Sequence, residues 1–450
     1  MQEKELERDP APVELEKKTE KEEKNKKKKR VLSVLTATLV IATAFLGGFF
    51  TRWFTLEKEM RTLVSVKNKI DKEYYEDISD EEFYGAIFDA INNEVLDPYS
   101  RYINADDYAS ERAESAGKRS GLGLVFYGTA ESAEAQTTVY RVCGNSPAER
   151  AGFLVGDRLT GFGLSETAIT DCNDFNAFAT FLGEIEDGQT FYARVERKGE
   201  TVLISVACED YVESYVFYKT NAEAYTIVDE DRILRVGEPL PALDEQTAYI
   251  RIIQFTGKAD ELFEEALELF VKQGKKNLVL DLRGNGGGEM AVLQEIGGYL
   301  CKDAKGDEPV IAIADYGEKK EYFKADDNEY YEYFSADSRI CVLADKGTAS
   351  ASEALIGAML DYHTVAYSDI CLIEENGVAK TYGKGIMQTT FIMDWIKGDA
   401  LKLTTARIVW PKSGNCIHDR GILSLDGTKT TPKNYQADEE LSAAIRALFS

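Results

Sequence analysis

Residues 340–353 read Ile340-Cys341-Val342-Leu343-Ala344-Asp345-Lys346-Gly347-Thr348-Ala349-Ser350-Ala351-Ser352-Glu353. The apolar run, the glycine-containing turn and the apolar stretch that follows to Asp361 predict a buried strand that turns sharply into a helix. Other strands and helices alternate around this segment, at 249–255, 261–272, 278–282 and 310–314. This alternation predicts an α/β core over residues 246–435 with a largely parallel sheet.

Three regions precede this core. Residues 55–112 repeat apolar side chains at helical spacing, which predicts a helical N-terminal segment. Residues 118–209 contain short strands separated by glycine-rich turns, which predict a small inserted β-rich domain. Residues 210–245 are polar and mixed, and we interpret them as a connection.

The N-terminus combines a charged segment with a long apolar run. Residues 1–30 are highly charged with few aliphatic side chains, which predicts a disordered tail. Residues 31–51 carry no charge, and about 20 apolar residues can span a bilayer as a helix. The basic cluster at 26–30 predicts a single-pass membrane anchor with a cytoplasmic N-terminus and extracytoplasmic later domains. The alternatives are a cleaved signal peptide, for which Ala42-Thr43-Ala44 has a suitable form, and a buried helix.

Composition excludes several classes of function. The 450 residues carry 53 Lys and Arg against 79 Asp and Glu, a net charge of −26, which argues against nucleic acid as the main partner. Only two histidines are present, His363 and His418, too few for a multi-histidine metal site. The seven cysteines are scattered without a C-x-x-C pair. These counts therefore argue against a multi-histidine metal site, a zinc ribbon and a disulfide framework.

Three segments carry residues that could perform chemistry. Ser350 stands at the start of a predicted helix, where free N–H groups and the helix dipole stabilise negative charge, although Ser350-x-x-Glu353 also fits an ordinary capping box. Lys384 lies between two glycines with Gln388 four residues on, and a buried lysine can serve as a base where histidine is scarce. The alternative for Lys384 is a surface turn. The glycine-rich loop 284–288 follows a strand and could bind an oxyanion or be only a tight turn.

Together these segments resemble the C-terminal processing peptidases, tail-specific Ser/Lys proteases that carry a PDZ domain. The resemblance covers about residues 63–422, and its motifs occur in the family's order. They are Leu96-Asp97-Pro98-Tyr99-Ser100, Gly121-Leu122-Gly123-Leu124, Ser146-Pro147-Ala148, Asp281-Leu282-Arg283-x-Asn285-x-Gly287-Gly288, Thr348-Ala349-Ser350-Ala351-Ser352-Glu353 and Gly383-Lys384-Gly385-x-x-Gln388.

The resemblance implies a role for each matching residue. It makes Ser350 the nucleophile, Lys384 the general base and Gln388 the residue that orients the base. This acyl-transfer chemistry needs no metal and no cofactor, and we expect none. It places an oxyanion hole at the amides of Gly287 and Ala351, with Gly288 as the alternative to Gly287. It also implies that the loop Gly121, Leu122, Gly123 and Leu124 binds a substrate carboxylate.

The implied function is that of a membrane-anchored serine endopeptidase that cleaves protein substrates near their C-terminus after recruitment through the PDZ domain. Protein C-terminal tails would be the partners, and a homo-oligomer or an activating partner is left open. Two alternatives remain: an inactive PDZ scaffold or receptor on the same fold, and a Ser-His hydrolase that uses His418. The sequence departs from the family in the long spacing between Ser350 and Lys384 and in the lack of Pro-Asp after Ile422.

Overall fold

The computed structural model describes residues 57–127, 136–172, 174–186, 188–228, 232–235, 239–303, 308–327, 329–393, 398–434 and 437–449, together with Thr36 and Thr38. The chain divides into two units, Met1–Ala90 and Ile91–Ser450. In the first unit the described residues include helices α1 (Lys58–Glu73) and α2 (Asp80–Ala90). Lys67 of α1 forms an ion pair with Asp71 in the same helix and a second one with Asp80, the first residue of α2.

The second unit begins with a π-helical turn, Ile91–Val95. Its helices are α3 Ala105–Ser115, α4 Pro147–Ala151, α5 Phe175–Glu184, α6 Ala259–Lys272, α7 Met290–Leu300, α8 Tyr330–Tyr333, α9 Ala351–Asp361 and α10 Ala437–Phe449, with 3-10 turns at Tyr367–Asp369 and Ser424–Asp426. Its first strands are β1 Arg101–Ile103, β2 Lys118–Gly121, β3 Leu124–Phe126, β4 Val139–Val142, β5 Arg158–Ser165, β6 Ala168–Asp171, β7 Thr190–Arg197, β8 Glu200–Ala207, β9 Glu209–Val212, β10 Val216–Lys219 and β11 Ala224–Val228. The later strands are β12 Arg232–Arg235, β13 Thr247–Ile252, β14 Asn277–Asp281, β15 Val310–Asp315, β16 Lys320–Lys324, β17 Ile340–Ala344, β18 Ile370–Glu375, β19 Val378–Ala379, β20 Ile386–Ile392, β21 Ala400–Val409 and β22 Lys429–Pro432.

The sheets are mixed, so the predicted largely parallel sheet is wrong. In the large sheet, β13, β14, β17, β18 and β22 run parallel, whereas β10, β11, β12 and β19 pair antiparallel. The second sheet, which contains β1, β15, β16, β20 and β21, is antiparallel throughout. The physical reason is the short connections: the tight turn at Thr220–Glu223, closed by a 2.8 Å backbone hydrogen bond, can join only antiparallel strands.

Two other predictions change with the structure. Residues 210–245, interpreted as a connection, contain β10, β11 and β12, which extend the large sheet. The predicted membrane helix at 31–51 lies almost wholly outside the described residues. No helix in the part of the chain that the structure describes is long and apolar enough to cross a membrane, so the predicted fold class is not supported on this point.

The main core lies between the large sheet and helices α6, α7 and α9. Strand β17 is buried along its whole length, and Phe255, Phe263 and Phe270 are fully buried in the same apolar cluster. Each such side chain stabilises the fold by roughly 1.5–3 kcal/mol when removed from water. On another face α10 packs through Leu441, Ile445 and Leu448 in a second cluster. The loops after β14 and β17 therefore start from rigidly held strands.

Residues 118–209, hereafter the inserted module, have their own apolar core. It contains Phe153, Phe162, Phe178 and Phe191. Helix α4 begins where the Ser146 hydroxyl accepts the amide of Glu149 and ends at Gly152, whose φ of +90° is left-handed. Strand β2, at the start of the module, pairs antiparallel with β9, which begins at the module's last residue and continues to Val212.

Candidate active site

Ser350 lies in the turn between β17 and α9 with an unusual backbone. Its φ is +58° and its ψ −117°, a conformation that costs a non-glycine residue about 1–3 kcal/mol and that concentrates at functional sites. The amide of Ser350 donates to the Glu353 carboxylate at 3.1 Å, which holds the turn in place. This strained turn presents the serine side chain at the start of the helix.

Glu353 is the hub of the site, and it is completely buried. Its Oε2 accepts the amides of Ser350 and Lys384, the latter at 2.9 Å. Its Oε1 accepts the amide of Gly383 at 2.8 Å and the hydroxyl of Thr381. Burial raises the pKa of Glu353, and these hydrogen bonds oppose that rise. One carboxylate therefore joins the backbone of the serine turn to the backbone of the lysine loop.

The sequence did not assign Glu353 or Thr381 to the site. The signal was present, because a Glu three residues after Ser350 fits a capping box. What the pattern could not show is that the same carboxylate also accepts from the distant loop 381–384.

The glycine-rich loop lies against the serine turn. A Cβ added at Gly287 would lie 2.7 Å from Ser350 Cβ and 2.8 Å from the Ala351 amide nitrogen, and one added at Gly288 would lie 2.0 Å from the Phe255 carbonyl oxygen. Both glycines have positive φ, +98° and +151°. Only glycine allows this approach.

Asn285 is a further residue that the sequence left without a role. It is buried, donates to the Ile252 carbonyl at 2.9 Å, and accepts the amide of Gly287 at 2.9 Å. The predicted oxyanion donor Gly287 is thus engaged by Asn285 in this structure. Ala351 is the first residue of α9, so its amide has no partner four residues earlier within the helix.

Lys384 is half-buried, and this burial lowers its pKa. Its Nζ lies 5.1 Å from the centre of the Tyr99 ring. The flanking glycines permit close backbone contact, since a Cβ at Gly383 would lie 2.9 Å from the Gly421 amide and one at Gly385 would lie 2.7 Å from the His418 amide. The side-chain amide nitrogen of Gln388, the predicted orienting residue, donates to Thr404 Oγ1 at 3.4 Å.

The predicted catalytic residues share one cavity of about 1030 Å³. Its walls include all six of Ser350, Ala351, Lys384, Gln388, Gly287 and Gly288. The loop Gly121–Leu124 is not among the lining residues and lies within the inserted module. There, Leu122 is buried and its carbonyl accepts the Ala148 amide at 3.0 Å, and the Gly123 carbonyl accepts the Cys143 amide at 2.8 Å.

The structure also bears on two other kinds of site, a Ser-His pair and a metal site. His418 Nε2 lies 3.8 Å from the Asp419 carboxylate, and His418 does not line the cavity. Within the described residues, no group of three His, Cys, Asp or Glu side chains is arranged to hold a metal ion. The arrangement therefore offers a serine hydroxyl, a lysine amine and backbone amides, the parts that acyl transfer requires.

Comparison with known proteins agrees with this chemistry. Residues 246–424 match the model of peptidase family S41. The chain is 26% identical over 399 residues to a probable CtpA-like serine protease of Staphylococcus saprophyticus, and the match covers 87% of this chain and 70% of that protein. It is 27% identical over 328 residues to the chloroplastic C-terminal processing peptidase of Tetradesmus obliquus, over 72% of this chain and 64% of that one.

A solved structure shows the same fold. An S41 protease from Bacteroides fragilis superposes with a TM-score of 0.51 at 16% identity, over 83% of this chain and 90% of that chain. The resemblance to the C-terminal processing peptidases is therefore confirmed: residues 246–424 match peptidase family S41, and the chain is a serine-type peptidase.

Proposed function

We propose that the protein is an endopeptidase in which Ser350 is the nucleophile and Lys384 is the general base. The observation that supports this most strongly is the position of Glu353. Its carboxylate accepts the amides of both residues, which are 34 positions apart in the sequence, and so keeps both at one cavity. Burial of Lys384 then favours the neutral amine that a general base needs.

The reaction is ordinary acyl transfer. The neutral amine of Lys384 takes the proton of the Ser350 hydroxyl as the oxygen attacks the scissile carbonyl. The resulting ammonium gives that proton to the leaving amine, so the peptide bond breaks and an ester on Ser350 remains. Water then attacks this ester with Lys384 again as the base, which regenerates the serine.

The oxyanion of each tetrahedral intermediate needs two donors near Ser350. The amide of Ala351 is one. The amide of Gly287 is the predicted second donor and must first leave Asn285 Oδ1, to which it donates at 2.9 Å. Gly288, which lines the same cavity, is the alternative.

The inserted module is proposed to recruit protein C-terminal tails. An extended tail would add as a strand, and the amides of the loop Gly121–Leu124 would bind its carboxylate. Amidation removes that charge, so we expect a peptide amide to bind more weakly than the matched free acid by roughly 1.5–3 kcal/mol. Equal cleavage of the two peptides would show that the enzyme does not recognise the C-terminal carboxylate of its substrates.

Point variants test the catalytic pair. Ser350→Ala and Lys384→Ala are each expected to abolish hydrolysis of an unfolded protein substrate without unfolding the enzyme. Lys346→Ala is the matched control, because Lys346 lies in the same turn region, does not line the cavity and pairs with Glu375 instead. Full turnover by Ser350→Ala would refute the proposal. Wild-type protein that binds tails and never cleaves them would favour the inactive scaffold.

A further inference from the structure

The turn Leu96–Ser100, hereafter the support turn, entered the sequence analysis only as one motif of the resemblance, without a role. In the structure it contacts Lys384 and the partner of Gln388. Tyr99 places its ring over the Lys384 ammonium group, with the nitrogen 5.1 Å from the ring centre. Asp97 and Ser100 bind Thr404, the residue to which Gln388 donates.

The first contact controls the surroundings of Lys384. The Tyr99 ring covers one side of the half-buried lysine, and its hydroxyl lies 3.4 Å from the Tyr382 hydroxyl. That hydrogen bond, followed by burial, raises the pKa of Tyr99 to about 12, so the phenol stays neutral when a lysine with a lowered pKa titrates. Tyr99 therefore presents a neutral aromatic face to the lysine.

The second contact controls the direction of Gln388. The Thr404 hydroxyl donates to Asp97 Oδ1 at 3.2 Å, and its oxygen accepts from the Gln388 amide nitrogen and from the Ser100 hydroxyl, each at 3.4 Å. With its nitrogen turned toward Thr404, Gln388 directs its carbonyl oxygen away from Thr404. That oxygen is an acceptor for a lysine N–H.

The support turn is itself held rigidly. Asp97 accepts the Tyr99 amide at 2.8 Å and the Ser100 hydroxyl at 3.1 Å, and the Thr404 amide donates to Ser100 Oγ at 2.8 Å. Burial of Asp97 raises its pKa, but these hydrogen bonds outweigh that effect and lower it overall. The turn thus has a fixed geometry that it can impose on the strands β20 and β21, which carry Gln388 and Thr404.

We propose that the support turn is a positioning element for the general base: Tyr99 fixes the Lys384 amine and shields it from water, and Asp97 orients Gln388 through Thr404. This inference rests on the proposed function of Ser350 and Lys384. It makes Tyr99, Asp97 and Thr404 positioning residues that act through Lys384 and Gln388.

Several other charged or titratable groups lie near Tyr99 and Lys384. Tyr382, Asp97 and Asp419 interact with Tyr99, and Glu353 accepts the Lys384 amide. The charged residues that line the same cavity are Glu111, Arg112, Arg141, Glu289 and Lys402. Burial is the cause of the lowered pKa of Lys384. Removing the Tyr99 ring takes away a cation–π attraction, which favours the ammonium, but it also lets water reach the nitrogen. We expect the gain in hydration to be the larger effect, so that the pKa of Lys384 moves upward.

The test compares Tyr99→Ala, Tyr99→Phe, Thr404→Val and Thr404→Ser by kcat and KM across pH. Tyr99→Ala is expected to move the pH limb, the range over which kcat rises as Lys384 loses its proton, to higher pH. At pH values where Lys384 is mostly protonated, kcat is then expected to be about tenfold lower for each pH unit that the limb moves, with recovery at high pH. Tyr99→Phe keeps the ring and recovers most of that loss. Thr404→Val is expected to lower kcat with little change in KM, and Thr404→Ser to restore it.

Controls separate the possible outcomes. Tyr322→Ala removes an exposed tyrosine of β16 that does not line the cavity, and is expected to leave the pH limb unchanged. An unchanged limb in Tyr99→Ala, or a loss that is equal at every pH and not recovered by Tyr99→Phe, overturns the inference. Ser350→Ala and Lys384→Ala are measured in the same assay: if they remain active, it is the proposed function that fails.

Discussion

Glu353→Gln is the most informative perturbation of the site, since it changes one atom of the hub. Each Glu353 oxygen accepts two donors, Thr381 and Gly383 on one and Ser350 and Lys384 on the other. Glutamine keeps one oxygen and places an N–H₂ group where the other stood, so two donors lose their acceptor. At ~2 kcal/mol for each unsatisfied buried donor, the cost is about 4 kcal/mol.

Two assays follow from this magnitude. A loss of about 4 kcal/mol is expected to lower Tm by roughly 8–16 °C, at about 2–4 °C per kcal/mol for a domain of this size. Displacement of the serine turn relative to Lys384 is expected to reduce kcat by about 100-fold or more. The control is Glu261→Gln, which disturbs only an exposed pair with Lys258, worth about 0–1 kcal/mol. A Tm within about 2 °C of wild type, which corresponds to a loss of no more than about 1 kcal/mol, together with near-normal kcat would refute this role of Glu353.

Three further predictions concern the base, the buried ion pair and the glycine loop. Burial lowers the pKa of Lys384 in the folded state, so the lysine destabilises the fold at neutral pH. This cost disappears as the pH rises through 10.5, the ordinary pKa of lysine. Lys384→Met is thus expected to be inactive yet to have a higher Tm at pH 7, and a lower Tm would contradict the sign. Arg283→Met leaves the fully buried Asp281 carboxylate without its ion pair at 2.6 Å. This is expected to lower the free energy of unfolding by about 3–5 kcal/mol in thermal unfolding, and a change below about 1 kcal/mol would show that the pair is dispensable. Gly287→Ala is expected to lower kcat about 10²-fold or more because the new Cβ would lie 2.7 Å from Ser350 Cβ. Gly284→Ala is the control for backbone strain alone, because Gly284 also has a positive φ but has open space around it.

The sequence predicted the local chemistry of the site better than the sheets around it. The strand, turn and helix at 340–361 and the glycine loop after β14 occur where they were predicted, because apolar runs and glycine turns are local signals. The same alternation suggested a largely parallel sheet. It could not reveal that β10 to β12 and β20 to β21 return as antiparallel hairpins, since pairing depends on tertiary contacts.

The residues that the sequence missed are those that act through distant partners. Glu353 matters because Thr381 and the amides of Gly383 and Lys384 reach it from a separate loop. Asn285 and Thr404 likewise gain importance only from contacts made in the folded chain. A motif shows which groups are present and in what order, whereas the network that holds them is visible only in three dimensions.

The central claim, acylation of Ser350 with Lys384 as the base, is tested most directly by trapping the covalent intermediate. A peptide p-nitrophenyl ester, mixed with the enzyme at a pH low enough to slow deacylation, is followed by intact mass and by mapping of tryptic peptides. The expected result is one acyl group on the peptide that begins at Gly347 and contains Ser350, formed at a rate that rises with pH as Lys384 loses its proton and absent in Ser350→Ala. An acyl group on another residue, or rapid turnover by Ser350→Ala with no covalent intermediate, would contradict the claim.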